Sequence, residues 1–332
     1  MNKVKILCTL PMDPAGAAML SGVADIVAAP SQSAESLYEA IGDADLLIVR
    51  SQLPADLFDR PNRLVGVVRH GTGLDLIPVD SATAHGIVVA NVPGANAQAV
   101  VEHVIGSFLA LSRRFETLDA TLRRSGWADA RALTGSATEL SGKTLGIVGV
   151  GAIGAALARA CQAAFGMRVL GCQPRGVLPD GVESVTLDEL FEQSDFISLN
   201  CPLTPETRHL VNETRLRRMK KSAVLVNAAR GAVIDDLALA TALREGWLKG
   251  AAVDVFAEQP LRTDHPFLQL ENIILTPHTA ALTAESSRKM GMGAAQQVLQ
   301  LLRNERPEFL VNPEVWARRR QIGALPAKGC VA

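Results

Sequence analysis

The chain reads as an α/β protein made of two doubly wound parallel sheets, and three observations predict this. Short apolar runs alternate with helical stretches through the first ninety residues. The same alternation restarts at Thr144 and runs straight into a glycine-rich turn, Gly149-Val150-Gly151-Ala152-Ile153-Gly154. A last helical stretch, Ala284 to Arg303, comes too late to be another repeat of that second series. Strands that alternate with helices imply parallel sheets covered on both faces.

In the first series the apolar runs Lys5–Cys8, Asp25–Val27, Leu46–Val49, Val65–Arg69 and Val88–Ala90 are candidate strands, with helices at Ala15–Gly22 and Ala34–Ile41 between them. Asn96 to Arg114 is a long apolar helix suited to cross from one domain to the next. The second series begins with Thr144–Val148 and continues through Arg168–Gly171, Phe196–Leu199, Val224–Asn227, Ala251–Val255 and Ile273–Leu275. Six parallel strands suit a dinucleotide-binding sheet. The late helix is expected to return to the first sheet and make that domain discontinuous. The expected boundaries are 1–97 with 285–315 for the outer domain and 98–284 for the inserted one. Residues 316–332, with Arg318-Arg319-Arg320 followed by Gly, Pro and Ala, read as a solvated or disordered tail.

Composition limits the function classes. Hydrophobic residues make up 48% of 332, charged residues 20%, and net charge is −1, which leaves no basic field for nucleic acid or anionic membrane. No run of 18 apolar residues is present. Met1 to Leu10 reads as a first strand rather than a secretory leader. The five cysteines, Cys8, Cys161, Cys172, Cys201 and Cys330, lack metal-ligand spacing and read as reduced cytoplasmic thiols, so no metal is expected.

Three constellations carry chemistry. The glycine run lies between strand and helix, the context in which G-x-G-x-x-G binds a dinucleotide pyrophosphate at a helix N-terminus. The second strand of such a unit normally ends in an acid that binds the adenosine ribose. Here it ends in Gln173-Pro174-Arg175, which removes a carboxylate that would repel a 2′-phosphate and adds a cation that would attract one, favouring NADP over NAD. Next, Asn227-Ala228-Ala229-Arg230-Gly231 places an arginine just past a strand end, where doubly wound sheets bind ligands and where a guanidinium can grip a carboxylate. Finally, Asp254-Val255-Phe256-Ala257-Glu258-Gln259-Pro260 is followed by Thr276-Pro277-His278, and a histidine at that sheet edge is a candidate acid/base.

This ordered set resembles the D-isomer-specific 2-hydroxyacid dehydrogenase family, from about residue 45 to residue 312. The likeness extends to Arg69-His70-Gly71-Thr72-Gly73-Leu74-Asp75, to Asn91–Asn96 with Val101-Glu102-His103, and to Ser198–Thr204. The resemblance implies a Rossmann cofactor domain inserted into a flavodoxin-like catalytic domain, a cleft that closes on substrate, and a homodimer built largely through the cofactor domains. It implies that Arg230 and the backbone N–H groups of Gly71, Thr72 and Gly73 hold a substrate carboxylate, and that His278 exchanges a proton with the C2 oxygen. His70 would line the substrate side, and Arg50 and Ser51 would meet the distal part of larger substrates. The cofactor side would comprise Gly149, Gly151, Ala152, Ile153, Gly154, Gln173, Pro174, Arg175, Cys201, Pro202, Thr207 and Ala228, with Asp254 orienting the site or the nicotinamide ring.

One departure stands out. The family usually carries glutamate immediately before the proline, paired with the catalytic histidine; here that residue is Gln259. Glutamine can fix a tautomer but supplies no charge, so carbonyl reduction is expected to weaken at a lower pH than in glutamate-bearing relatives. Glutamine at this place also resembles formate dehydrogenases of the same superfamily. A third reading is an NAD(H)-sensing corepressor-like binding protein on the same fold.

Overall fold

The computed structural model describes residues 3–321. The chain divides into two compact units: residues up to Asn96 with those from Leu282 onward, and Ala97–Ala281.

The first unit opens with β1 (Val4–Cys8), α1 (Pro14–Leu20), β2 (Ala24–Ala28), α2 (Ala34–Ala40), β3 (Leu46–Val49), β4 (Gly66–Arg69), α3 (Val79–Ala84) and β5 (Val88–Ala90). All pairings are parallel, in the order β2-β1-β3-β4-β5, and β3 pairs with β4 in the register Val49↔Arg69. The strands read as unbroken apolar runs because both faces are covered. Every residue of Leu46–Val49 is fully buried. Alternate side chains feed two cores: Ile6 and Cys8 go to one, Leu7 to the other with Leu37, Ile41 and Phe58.

The second unit runs through α4 (Ala97–Arg113), α5 (Phe115–Ser125), α6 (Trp127–Ala132), β6 (Thr144–Val148), α7 (Ala152–Phe165), β7 (Arg168–Cys172), β8 (Val182–Ser184), α8 (Leu187–Gln193), β9 (Phe196–Leu199), α9 (Glu213–Arg218), β10 (Val224–Asn227), α10 (Asp236–Arg244), β11 (Gly250–Val253) and β12 (Ile273–Leu275). Its sheet is parallel, in the order β12-β11-β10-β9-β6-β7-β8. The order reverses between β6 and β9, which sets a ligand-binding crevice beyond their carboxyl ends. Seven strands stand where six were expected. The extra one, β8, is a half-exposed edge strand of three residues, Val-Glu-Ser, so its sequence carries no apolar run.

The chain then re-enters the first unit through α11 (Ala284–Leu302), whose Ala294, Ala295 and Val298 pack into the β1–β5 core. This crossing falls at 281/282 rather than 284/285. Thr283 is the N-cap of this helix: its hydroxyl accepts from Ser286 N and its own N–H donates to Ser286 Oγ.

The expected tail is corrected as far as Arg320. Asn312, buried, accepts from Val89 N and donates to Ile87 O, docking the chain along the β5 edge. Trp316 packs against the same core, Arg318 donates to Thr83 O, and Arg320 donates to Asn62 O and Oδ1. The arginines that suggested a solvated run are anchors on backbone carbonyls. Residues 322–332, Cys330 among them, lie outside the described residues.

Candidate active site

In the second unit, the three fingerprint glycines do different jobs. Gly149 has φ +91°, and a Cβ there would lie 2.9 Å from the backbone of Asn200 and Cys201. A Cβ at Gly154 would come within 2.4 Å of Gly149 O, so this glycine lets α7 pack against the turn. At Gly151 nothing lies within 4 Å of the Cβ position. Gly151 is also the N-cap of α7 and offers no side-chain acceptor to the helix's first N–H groups, which include those of Ala152 and Ile153. An open backbone at a 14-residue helix start is an anion cradle, so these residues fit a dinucleotide pyrophosphate.

Beside the cradle, β7 ends at Cys172; Gln173 is half-buried, Pro174 and Arg175 exposed. On its other flank Cys201 is buried, and burial pushes its thiol up to about 11, so it stays neutral and serves as packing. The Thr207 hydroxyl donates to Pro202 O at 2.7 Å and accepts from Thr204 N at 2.7 Å, which clasps the loop that carries Cys201 and Pro202.

Arg230 follows β10, and the last residue of that strand secures its loop. Asn227, fully buried, donates to Arg230 O at 2.9 Å and accepts from Ala229 N at 3.0 Å. Ala228 lies inside this clasp, half-buried. The Arg230 guanidinium donates to Ala229 O. A Cβ on Gly231 would fall 1.9 Å from the Phe256 carbonyl carbon, so only glycine brings the arginine loop against the segment that leads to Gln259.

His278 sits on a turn built round Asp254. The Asp254 side chain is 1% exposed, and it accepts from Thr276 Oγ1 at 2.6 Å, Thr279 N at 2.8 Å and Ala280 N at 3.0 Å. Its backbone carbonyl accepts from His278 N at 2.8 Å. These bonds hold His278 at φ +56°, a left-handed conformation that a non-glycine residue adopts only when its surroundings impose it. The exposed imidazole meets Gln259 through Nδ1···Oε1 at 3.0 Å, while Gln259 Nε2 donates to Phe256 O at 3.4 Å. The amide is therefore oriented with its oxygen toward the ring. An amide oxygen in that place favours the Nδ1–H tautomer.

In the first unit, the 70–73 loop has all four carbonyls tied back. Arg69 Nη1 takes His70 O at 2.8 Å and Arg69 Nε takes Gly73 O at 3.0 Å. Val92 N takes Gly71 O and Asn91 Nδ2 takes Thr72 O, both at 2.9 Å. The expected trio of N–H donors shifts by one residue: Gly71 N is occupied by Arg69 O, whereas the N–H groups of Thr72, Gly73 and Leu74 meet no acceptor among the described residues.

The expectation that the His70 side chain meets substrate is corrected. Its imidazole is 3% exposed beneath the loop, and Nε2 has no hydrogen-bond partner. Burial, aided by the Arg50 guanidinium, lowers its pKa from 6.5 to about 4, so the ring is neutral. Arg50 N and Ser51 N both donate to Thr9 Oγ1, at 2.9 and 3.0 Å, and the Arg50 guanidinium bonds Pro11 O. Sequence reasoning passed over Arg69, Asn91 and Asn227 as working residues. The available signal was a polar side chain ending an apolar strand, as in Val-Val-Arg and Val-Leu-Val-Asn.

The family model for the NAD-binding domain of D-isomer-specific 2-hydroxyacid dehydrogenases matches residues 105–280. A glyoxylate reductase from Thermofilum pendens is 38% identical over 330 residues, covering 95% of this chain and 96% of that protein. A D-3-phosphoglycerate dehydrogenase from Methanocaldococcus jannaschii is 40% identical over 318 residues, covering 93% of this chain, which spans only 59% of that longer protein. Among solved structures, the NADPH-dependent glyoxylate/hydroxypyruvate reductase from Sinorhizobium meliloti, in complex with NADP and malonate, superposes with a TM-score of 0.86 at 27% identity, over 97% of this chain and 100% of that one. The family model covers more than half of the chain and the archaeal reductase nearly all of it, so the chain belongs to the D-isomer-specific 2-hydroxyacid dehydrogenase family.

Proposed function

We propose that this chain interconverts a small 2-oxoacid and the corresponding D-2-hydroxyacid with a nicotinamide cofactor. The observation that carries the reading is the His278–Gln259 pair, an imidazole whose Nδ1 is oriented by the Gln259 amide oxygen at 3.0 Å; Nε2 is assigned the proton exchange. In reduction the imidazolium gives its Nε2 proton to the C2 oxygen; in oxidation the neutral ring takes that proton back. Arg230 pairs with the substrate carboxylate and polarises the carbonyl. The N–H groups of Thr72, Gly73 and Leu74 are assigned to carboxylate binding. Arg50 and Ser51 are assigned to the distal end of longer substrates. Asp254 keeps His278 in place.

The nicotinamide, when bound, donates hydride to C2 or accepts it from there. Gly149, Gly151 and Gly154 with the first turn of α7 would hold its pyrophosphate. Gln173 and Arg175, in place of an acid, favour NADP over NAD. The NADP bound to the Sinorhizobium reductase supports a family able to use that cofactor. We further assign the working form to a homodimer.

A panel of glyoxylate, hydroxypyruvate, pyruvate and 3-phosphohydroxypyruvate with NADPH and NADH tests the reading. The expected result is turnover of at least one oxoacid, with kcat/KM higher for NADPH; a tenfold preference for NADH would remove the cofactor assignment. Gln259 favours a second reading, formate oxidation, which needs no proton relay. Formate offered with NAD or NADP decides it, and no turnover with any substrate would favour a cofactor-sensing binding protein.

A further inference from the structure

We propose that Arg69 is a positioning residue that builds the carboxylate-binding loop by drawing its carbonyl groups inward. The proposal rests on the assignment of the 70–73 loop to the substrate carboxylate. The half-buried guanidinium spans three carbonyls: Val49 O at 2.9 Å, His70 O at 2.8 Å and Gly73 O at 3.0 Å. Val49 and Arg69 are register partners across β3 and β4, so one side chain ties the ends of two strands to both ends of the loop.

In a trans peptide the C=O of one residue and the N–H of the next point in opposite directions. Val92 N holds the carbonyl of Gly71, Asn91 Nδ2 that of Thr72 and Arg69 that of Gly73, while Arg69 also pins His70 O at the start of the loop; together these bonds send the N–H groups of Thr72, Gly73 and Leu74 to the other side of their peptide planes. Three consecutive N–H groups without acceptors among the described residues are donors available to an anion. Arg69 also keeps its own positive charge close to those donors, which adds attraction for a carboxylate.

Lysine cannot replace this arginine. An ammonium is a point donor on a flexible stem, whereas the planar fork fixes several acceptors at once. The test uses the full chain carrying Arg69→Lys, with Arg69→Ala and added methylguanidine as a second arm. Glyoxylate kinetics with NADPH are measured beside calorimetric binding of oxalate, a small dicarboxylate that reports on the loop without turnover.

The expected result for Arg69→Lys is a glyoxylate KM and an oxalate Kd each raised roughly tenfold or more, with the KM for NADPH unchanged and kcat little affected. Methylguanidine should recover part of the lost oxalate affinity in Arg69→Ala. An unchanged oxalate Kd accompanied only by a lower Tm would overturn the proposal and leave Arg69 a packing residue. If wild type binds oxalate in an Arg69-dependent way but reduces no oxoacid, the reaction assignment fails and the loop assignment stands. If wild type neither binds oxalate nor turns over, both fail.

Discussion

The His278 turn and the 70–73 loop are organised by side chains of opposite charge type, a buried aspartate and a half-buried arginine, with opposite results. Asp254 collects donors: the N–H groups of Thr279 and Ala280 and the hydroxyl of Thr276. The backbone around His278 is thereby closed, and the imidazole is what the turn presents. Arg69 collects acceptors, the carbonyls of Val49, His70 and Gly73, and with Val92 N and Asn91 Nδ2 it turns the loop's carbonyls away from the open N–H groups of Thr72, Gly73 and Leu74. An acid that organises a turn consumes N–H groups and displays a side chain. An arginine that organises a loop consumes C=O groups and displays N–H groups. The proposed reaction assigns proton transfer to the first and carboxylate binding to the second.

His278→Gln is expected to break the turn's purpose without breaking the turn. The amide keeps the shape but cannot exchange a proton, so kcat for oxoacid reduction should fall by about 10²–10⁴-fold, with the KM for NADPH unchanged. A loss below tenfold in steady-state rate would remove His278 as the acid/base.

Asp254→Asn tests the organiser itself. One carboxylate oxygen becomes an NH2 group facing a buried N–H donor, an unsatisfied pairing that costs about 1–3 kcal/mol. Thermal unfolding should shift down, and kcat should drop roughly tenfold as His278 loses its imposed conformation. A lower Tm with unaltered kcat would separate the turn's stability from its chemistry.

Gln259→Glu sharpens the comparison by adding charge where the turn now has none. A carboxylate against Nδ1 favours the imidazolium, so the proton donor persists to higher pH. The alkaline fall of the reduction rate should move up by about one pH unit or more, while oxidation, which needs the neutral ring, should set in at higher pH. A superimposable pH–rate profile would show that the Gln259 contact does not govern the proton transfer.

The smallest effect is expected beneath the loop. Folded protein holds His70 neutral down to about 4, while an unfolded chain takes up the proton near 6.5. Its folded pKa is depressed, so stability is lost as pH falls from 6.5 toward 4. His70→Leu removes this titration and should flatten the pH dependence of Tm in that window. An equally steep Tm profile in the variant would assign the acid sensitivity to other groups.

Legibility differed between the two regions. Arg230, Gln259 and His278 stood out because each ends a strand-and-turn motif, and the structure brings Gln259 and His278 into hydrogen-bond contact. His70 was misjudged because a polar residue in a loop motif normally faces solvent, while here the imidazole turns under the loop toward Gly291 of α11. Arg69 was quoted in its motif without a positioning role, since two of its acceptors are backbone carbonyls, which carry no side-chain signal, and the third, Val49 O, lies 20 residues back on the neighbouring strand. The docked segment through Arg320 was missed for a like reason, because an arginine run looks the same whether it meets water or distant carbonyls.

The amino-acid sequence by itself determined the two parallel sheets, the late return helix, the dinucleotide turn and the residue types available for chemistry. Apolar runs, glycine spacing and strand-end positions are local properties, and local sterics and burial suffice to express them. Tertiary structure alone decided which polar groups neutralise one another: Asp254 against the His278 turn, Arg69 against the loop carbonyls, and Asn312 with Arg320 against the edge of the first sheet. The pairings of Asp254 with Ala280, of Asn312 with Val89 and of Arg320 with Asn62 join residues 26 to 258 positions apart, and Arg69 ties its near neighbours His70 and Gly73 to Val49 on the adjacent strand; each follows from the need of polar groups for partners once the chain has folded.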